Sequence, residues 1–385
     1  MLEYSILEAG AVADGKTKNT DAIQQAIDAC SKAGGGRVVC PPGEFLTGTL
    51  ELKSRVELYL SPGCRIVGSP DRADYTDMKA DGFIAENAPE RSINSLIMAR
   101  NAEDVAVTGP GEINGSGLAF YDPKPGEEKL DKPAGTRPRI VMFYNCRNVR
   151  FEDASFVDSS NWTFWLMKCE NVKVRGITIR GNRRMRNNDG IDIDACRDVV
   201  ISDSVIDTED DSLILRAIQY VFEEPAVCEN VTVSNCVLKS CCQGIRVGCP
   251  TDGVIRNCTF SNIVIDSTGN GIVSNHPEIY VGPGQSGITD IHDIHFSNIT
   301  IHCRRNPVKI DLEENIELKR ISGLRFSNIT AKSPAPCLIL GSRKTPVEDV
   351  SFSNVTLSTT GQDSVILRNC RGVKMNHMEI SNEGS

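Results

Sequence analysis

The stretch that decides the fold is Asn187–Arg216, and its sequence is NNDGIDIDACRDVVISDSVIDTEDDSLILR. Two segments within it, Gly190–Asp194 and Ser212–Arg216, alternate apolar and polar residues with the period of two that is typical of a β-strand. The alternation predicts two short strands whose isoleucine and leucine side chains face the interior. It leaves Asp192 on the outer face of the first strand and Arg216 on the outer face of the second.

Three further aspartates stand at the starts of these strands. Asp189 precedes the first strand, and Asp210 and Asp211 precede the second, so that Asp189 and Asp211 are 22 residues apart. This separation is about one turn of a coiled parallel sheet, in which stacked strands lie ~4.8 Å apart. We therefore expect Asp189, Asp210 and Asp211 to meet on one outer face.

The same strand-and-turn unit recurs along the chain. Its copies begin with Asn or Cys, continue through a polar turn and end in an apolar strand, and they are Asn101–Val107, Asn145–Phe151, Cys169–Val174, Cys196–Ile201 and Cys228–Val233. A second marker, Phe-Ser-Asn, starts at Phe260, Phe296, Phe326 and Phe352, with spacings of 36, 30 and 26 residues. Periods in this range are typical of a solenoid.

These copies favour a parallel β-helix over other repeat architectures. Helical solenoids are excluded because the copies are rich in β-branched residues and asparagine. A propeller requires about 40–45 residues for each four-stranded blade. Because parallel crossovers are right-handed, the sequence predicts an all-β, single-stranded, right-handed parallel β-helix of roughly ten rungs. Asn148, Asn171, Asp198 and Asn230 are expected at one recurrent turn.

The composition suits a single domain over residues 1–385, since 32 glycines and 5% aromatic residues describe short strands and tight turns. One amphipathic helix is predicted at about 19–33, where apolar residues recur at intervals of three and four. Such a helix can cover the open end of a solenoid. Residues 121–139 are polar, proline-rich and aperiodic, so we expect a projecting loop that forms a cleft wall or is disordered.

Charge and cysteine usage limit the partners. The formal net charge of −9 argues against nucleic acid as a partner. The sequence contains no run of about 18 apolar residues, so no membrane span is predicted. The 15 cysteines are scattered without zinc-site spacing, which favours buried thiols in a reducing compartment over a disulfide framework. With no visible signal peptide, these features predict a cytoplasmic protein without cofactors; a periplasmic or secreted protein is the alternative.

Seven segments together carry a family resemblance, and they are Ala9–Lys16, Gly34–Thr49, Arg137–Ile140, Asn145–Val149, Ser160–Thr163, Asn188–Asp192 and Asp210-Asp211. In this order they resemble the polygalacturonase-like enzymes of glycoside hydrolase family 28. The resemblance implies a right-handed β-helix that hydrolyses α-linked pectic sugars with inversion and without a metal. It also implies that Asp189, Asp210 and Asp211 match the catalytic aspartates of the family's Asn-Thr-Asp and Asp-Asp motifs.

Two positions depart from the family pattern. Cys242-Gln243-Gly244 stands where the family usually has Gly-His-Gly, and Pro307-Val308-Lys309 stands where it has Arg-Ile-Lys. In polygalacturonases the Arg-Lys pair holds the galacturonate carboxylate. Since only Lys309 is kept, the resemblance implies a pectic glycan that contains uronate or rhamnose, rather than polygalacturonate specifically.

The three aspartates can supply the chemistry of inversion. This reaction requires one protonated carboxyl and one ionised carboxylate about 6.5–9.5 Å apart. Neighbouring carboxylates cannot all stay ionised, so one pKa rises. We assign Asp210 as the general acid and Asp189 and Asp211 as the residues that hold the water. The alternatives are that these aspartates begin tight turns, or that they bind calcium as in pectate lyases.

The candidate substrate-binding residues are Asp192, Gln243, Arg246, Lys309, Arg183, Arg186 and Trp162. Arg246 is expected either to pair with Asp192 or to reach a sugar. Arg183 and Arg186 belong either to a solvated face or to a cationic site that replaces the missing arginine, because guanidinium binds carboxylate bidentately. Trp162 is a candidate for stacking on a sugar ring. The five histidines receive no role.

Two other function classes stay open on the sequence alone. One is a metal-dependent lyase or epimerase that acts on uronic acid polymers. The other is a non-catalytic carbohydrate-binding solenoid, which is favoured if Gln243 marks a decayed site. An unsaturated product that absorbs in the ultraviolet indicates a lyase, new reducing ends indicate hydrolysis, and binding without either indicates the third class.

Overall fold

A computed structural model describes residues 2–282, 284–361 and 363–382. The chain divides into two compact units, the first comprising Met1–Asp192 with Val199–Glu209 and the second comprising Ile193–Asp198 with Asp210–Ser385. Whether they form the single expected domain stays a prediction.

The first part of the chain contains the strands β1 (Glu3–Ser5), β2 (Asp14–Lys18), β3 (Gly36–Cys40), β4 (Gly43–Thr47), β5 (Leu50–Leu52), β6 (Val56–Leu60), β7 (Cys64–Gly68), β8 (Ser95–Arg100), β9 (Glu103–Thr108), β10 (Glu112–Asn114), β11 (Arg139–Tyr144), β12 (Arg147–Glu152), β13 (Ser155–Val157), β14 (Phe164–Met167), β15 (Glu170–Arg175), β16 (Thr178–Arg180), β17 (Ile191–Asp194), β18 (Arg197–Ser202) and β19 (Val205–Thr208). The chain crosses from one unit to the other within β17 and β18.

The rest of the second unit contains β20 (Leu213–Arg216), β21 (Val227–Ser234), β22 (Val237–Ser240), β23 (Gln243–Val247), β24 (Val254–Thr268), β25 (Asn270–His276), β26 (Asp290–Cys303), β27 (Val308–Leu312), β28 (Arg320–Ser333), β29 (Cys337–Leu340), β30 (Val347–Thr359), β31 (Val365–Arg368), β32 (Cys370–Arg371) and β33 (Lys374–Asn382). Short 3₁₀ helices lie at Arg72–Asp74, Ala85–Asn87, Pro89–Arg91, Gly117–Phe120, Gln219–Val221 and Glu278–Tyr280.

Parallel pairing between successive coils builds both units. In the first unit, β11 pairs with β8 and β14, while β12 pairs with β9 and β15. In the second unit, β24, β26, β28 and β30 pair in that order, and β23, β25, β27 and β29 form another face. The predicted right-handed parallel β-helix is confirmed. The two strands quoted at the outset begin one residue later than the alternation predicted, at Ile191 and Leu213.

The Phe-Ser-Asn marker occurs once per coil. The register of the second unit places Phe260, Phe296, Phe326 and Phe352 in one column. Their rings stack with centroids 5.1, 5.0 and 4.9 Å apart and interplanar angles of 12°, 8° and 11°. These rings are buried, so the stack forms a continuous part of the core.

An asparagine ladder runs beside the phenylalanine stack. The side-chain amide of Asn298 donates to Asn262 Oδ1 at 3.1 Å, Asn328 donates to Asn298 at 2.9 Å, and Asn354 donates to Asn328 at 2.7 Å. All four have φ between 52° and 56°, a left-handed conformation that Asn adopts more readily than most residues. The predicted recurrent turn at Asn148, Asn171, Asp198 and Asn230 has the same conformation, with φ between 53° and 56°.

The single α-helix of the described chain, α1 (Thr20–Lys32), confirms the predicted N-terminal helix. Its buried residues are Ile23, Ala26, Ile27 and Cys30. They belong to the apolar stripe that packs α1 against the first strands, β1, β3, β5 and β6. The helix therefore covers the beginning of the first unit, as the sequence suggested.

The predicted loop at 121–139 is held close to the first unit. Leu130 is buried and forms a parallel bridge with Met185, and Arg184 Nη2 donates to the carbonyl of Glu127 at 2.9 Å. Within residues 121–138 the structure describes no other strand pairing. The loop lies along the turn that precedes Asp189, and its role as a cleft wall stays a prediction.

Most cysteines are buried, as the sequence suggested, while the reducing compartment stays a prediction. All 15 lie within the described ranges as thiols; 12 are buried, and Cys241, Cys242 and Cys370 are half-buried. A search of the described residues finds no helix long and apolar enough to cross a membrane.

We expect replacement of Phe326 by alanine to lower the free energy of unfolding by about 3–5 kcal/mol, because it removes a buried ring from the middle of the stack. Chemical denaturation measures this loss. The matched control is Thr330→Ala on the exposed surface of the same strand, which should change the free energy by less than about 0.5 kcal/mol. An equal effect of both variants would contradict a structural role for the stack.

Candidate active site

Asp210 and Asp211 lie in a tight turn immediately before β20. The backbone N–H of Asp211 donates to Asp210 Oδ1 at 3.0 Å, and Ser240 Oγ donates to the carbonyl of Asp210 at 2.6 Å. Asp210 is half-buried, whereas Asp211 is 2% exposed. The turn therefore presents two adjacent carboxyls in different environments.

Both oxygens of Asp211 accept hydrogen bonds from the neighbouring coil. The backbone N–H of Gln243 donates to Oδ1 at 3.2 Å, and Arg246 Nη1 donates to Oδ2, also at 3.2 Å. Burial and the adjacent charge of Asp210 raise the pKa of Asp211 to about 6, while Arg246 opposes this shift. Above this pH, Asp211 is an ionised carboxylate held by two donors.

Arg246 has a partner that the sequence analysis did not name. Its guanidinium pairs with Asp211, which lies in the same unit, while a contact with Asp192 or with a sugar stays a prediction. The register explains the contact, because Arg246 on β23 is level with Ile214 on β20, three residues beyond Asp211. Adjacent coils lie ~4.8 Å apart, within reach of an arginine side chain.

A buried charge network that the sequence reasoning missed interacts with Arg246. Arg216 Nε is 3.3 Å from Asp252 Oδ2, and Asp252 is 0% exposed. His276 is also fully buried, with its Nε2 3.0 Å from Ser274 Oγ. Burial, with the charges of Arg246 and Arg216, lowers the pKa of His276 to about 3. This histidine is therefore neutral between two arginines.

Gln243 is fixed at both ends of its amide. Asn270 Nδ2 donates to Gln243 Oε1 at 2.7 Å, and Gln243 Nε2 lies 3.3 Å from Cys242 Sγ. Asn270 is itself held, because its Oδ1 accepts the backbone N–H of Asn306 at 3.1 Å. A ladder of amides thus occupies the coils next to the aspartate pair.

Lys309 already has an acidic neighbour. Its Nζ lies 3.3 Å from Asp311 Oδ2 on the same strand, and both side chains are about a quarter exposed, at 28% and 26%. The register places Lys309 in one column with Val273 and Arg246. A substrate carboxylate must therefore compete with Asp311 for this ammonium.

Asp189 and Asp192 belong to the first unit, and both are buried, with exposures of 6% and 1%. The carbonyl of Asp189 accepts the backbone N–H of Thr163 at 2.9 Å. Arg139 is the nearby cation: burial lowers its pKa to about 9, and the charge of Asp192 is the largest of the effects that oppose this. The expected meeting of Asp189 with the aspartate pair of the second unit stays a prediction.

The two tryptophans pack on Arg139 in the first unit. Its guanidinium lies 5.0 Å from the ring centroid of Trp162 and 4.5 Å from that of Trp165, a cation–π arrangement. Trp162 is 7% exposed and Trp165 is fully buried. Little of the Trp162 ring is therefore exposed, and its stacking on a sugar ring stays a prediction.

The arginine-rich turn before Asp189 is largely engaged. Arg183 Nη2 pairs with Asp207 at 2.6 Å. The side chain of Arg186 is exposed, while its carbonyl accepts Arg137 Nη1 at 2.8 Å and the Tyr121 hydroxyl at 3.0 Å. These contacts fix the turn, and a role of Arg183 or Arg186 in sugar binding stays a prediction.

Comparison with known proteins gives a consistent result. Residues 76–379 match the model of the glycosyl hydrolases family 28. The chain is 24% identical to a probable polygalacturonase of Vitis vinifera over 96% of this chain and 77% of that protein. It is 23% identical to an endo-polygalacturonase of Pectobacterium carotovorum subsp. carotovorum, over 88% and 84% of the two chains. The fold is similar to that of a hyperthermoactive exopolygalacturonase from Thermotoga maritima, with a TM-score of 0.80, 22% identity, and coverage of 99% and 92%.

One group of described side chains has the composition of a metal site. Ligand atoms of Asp210, Asp211 and Cys242 lie within 4.8 Å of one another. Two carboxylates and a thiol do not fit Ca²⁺, which takes six to eight oxygen ligands. Moreover, Arg246 already supplies the positive charge at Asp211. The donor chemistry therefore does not support the calcium alternative at this pair.

We expect millimolar Ca²⁺ or EDTA to leave the midpoint of thermal unfolding unchanged within about 1 °C, because the aspartate pair offers too few oxygen ligands. Differential scanning calorimetry of the same protein with calcium, with chelator and with neither measures this. A rise of several degrees in calcium that is lost in Asp210→Asn would contradict the assignment.

Proposed function

Because this chain belongs to the glycosyl hydrolases of family 28, it is a glycoside hydrolase, and we propose that it cleaves α-linked pectin-type glycans with inversion at the anomeric carbon. Asp210 acts as the general acid, and Asp211 with Asp189 activates the water. The observation that carries this proposal is the different environment of the two adjacent carboxyls at the start of β20.

The hydrogen bonds favour this division of roles. Both oxygens of Asp211 are acceptors, from Gln243 N–H and from Arg246. Such an arrangement favours the ionised carboxylate that a water-activating base requires. Asp210 lies beside this carboxylate, and its proposed role as the general acid rests on its match to the family's Asp-Asp motif. The role of Asp189 rests on its match to the family motif.

The substrate is proposed from the relatives and from Lys309. The named relatives are polygalacturonases, but Pro307 stands where the family has its arginine. Lys309 lies 3.3 Å from Asp311, so its charge is shared with an internal acid. These features favour a glycan in which a carboxylate is not the main recognition element, such as a pectic glycan that contains rhamnose together with uronate.

We expect Asp210→Asn to lower kcat by about 10²–10⁴-fold, because it removes the proton donor for the leaving group. Release of reducing ends from a panel of oligogalacturonides and rhamnose-containing pectic oligosaccharides measures the loss. Asp203→Asn, an exposed aspartate outside the site, is the matched control and should keep full activity. Equal activity of Asp210→Asn and the native chain would refute the acid assignment, and product absorbance in the ultraviolet would indicate a lyase.

We also expect the first product to carry the β configuration at its new reducing end, because water attacks an α-linked sugar from the face opposite the leaving group. Proton NMR of the anomeric signals during the first minutes of reaction, before mutarotation, measures the configuration. Initial formation of the α anomer would contradict inversion.

A further inference from the structure

We propose that Arg246 is a positioning residue that holds Asp211 as the ionised, water-activating base, and that it does not bind the sugar. The inference rests on the proposed function and deepens it. It concerns a contact between two coils of the second unit, Arg246 on β23 and Asp211 before β20.

The pair is largely shielded from solvent. Arg246 Nη1 lies 3.2 Å from Asp211 Oδ2, and the side chains are 15% and 3% exposed. A buried carboxylate without a charged partner is strongly destabilised. The ion pair therefore does more for Asp211 than a pair on the open surface would.

Asp211 needs this cation because burial and the charge of Asp210, the adjacent residue, oppose its ionisation. The Cys242 thiol, in the turn before β23, contributes a hydrogen bond that favours the ionised form. Burial and the charge of Asp210 raise the pKa of Asp211, whereas Arg246 lowers it. The balance leaves Asp211 ionised only above a pH of about 6.

The surroundings of Arg246 direct it toward Asp211. Arg216, Cys249 and His276 are the other titratable groups that interact electrostatically with it. Arg216 is paired with Asp252 at 3.3 Å, and the fully buried His276 is neutral, so neither offers Arg246 a counter-charge. The two guanidiniums repel each other, and Asp211 is the acid that the structure pairs with Arg246.

Little of Arg246 is presented for a sugar. One terminal nitrogen donates to Asp211, and the other lies 3.8 Å from Cys249 Sγ. The next residue in its column is the buried Val273. A residue that holds a substrate directly would offer donors outward, whereas the two terminal nitrogens of Arg246 are directed to groups of the protein and its Nε is buried.

The test is the pH dependence of kcat/KM for Arg246→Gln and Arg246→Lys. In the glutamine variant, loss of the positive charge should shift the acidic limb of the pH profile to a higher pH, by about one to three units. A neighbouring cation lowers the pKa of an aspartate by that much. Activity at pH 5 should then fall at least about tenfold. The lysine variant should restore part of the shift.

Arg256→Gln is the matched control, because Arg256 also pairs with a carboxylate of the neighbouring coil, Glu229, at 2.7 Å. It should leave the limb in place. A raised KM for Arg246→Gln with an unmoved acidic limb would indicate sugar binding and overturn the proposal.

A second measurement does not depend on activity. The carboxyl carbon of Asp211, assigned by comparison with Asp211→Asn, should titrate near pH 6 in the native chain and at higher pH in Arg246→Lys, whose shorter and more mobile cation pairs less well. An unchanged midpoint would overturn the inference. If the native chain hydrolyses no pectic glycan, the proposed function fails, and this titration still decides whether Arg246 controls Asp211.

Discussion

The parallel register between successive coils is the constraint on which the rest of the structure depends. Each interior side chain meets its counterpart one strand spacing above and below, as the column from Phe260 to Phe352 shows with centroid distances near 5 Å. The left-handed asparagines hold the turns in the same register. Because the coils cannot slide without breaking both columns, a polar residue on one coil has a fixed partner on the next, and Asp211 meets Arg246 for this reason.

The sequence could predict the features that repeat. The period of the Phe-Ser-Asn copies determined the fold class, and the 3–4 spacing of apolar residues determined α1. The asparagines of the recurrent turn were also visible, because Asn and Asp tolerate positive φ. Each of these signals is local and recurs, so a single chain displays it several times.

The features that occur once were harder to predict. Arg216 and Asp252 are 36 positions apart and belong to no repeat, so their buried pair left no periodic signal. The alternation of strand residues placed Arg246 on the outer face, level with Ile214. It did not indicate that Arg246 would pair with Asp211, which lies three residues before Ile214. The contact of Trp162 with Arg139 also left no signal in the sequence: the guanidinium donates to the carbonyls of Ser92 and Pro89 and lies over the Trp162 ring.

The packing of Arg139 gives the first unit an intrinsic fluorescent probe of its charge state. Trp162 and Trp165 are the only tryptophans of the chain, and both indoles lie against one guanidinium, whose charge is coupled to that of Asp192 and Asp189. Indole emission responds to nearby charge, and both fluorophores stand at the start of β14, next to β17, the strand that carries Asp192. The intrinsic fluorescence of the unlabelled protein therefore follows the electrostatic state of this strand, without interference from any other tryptophan.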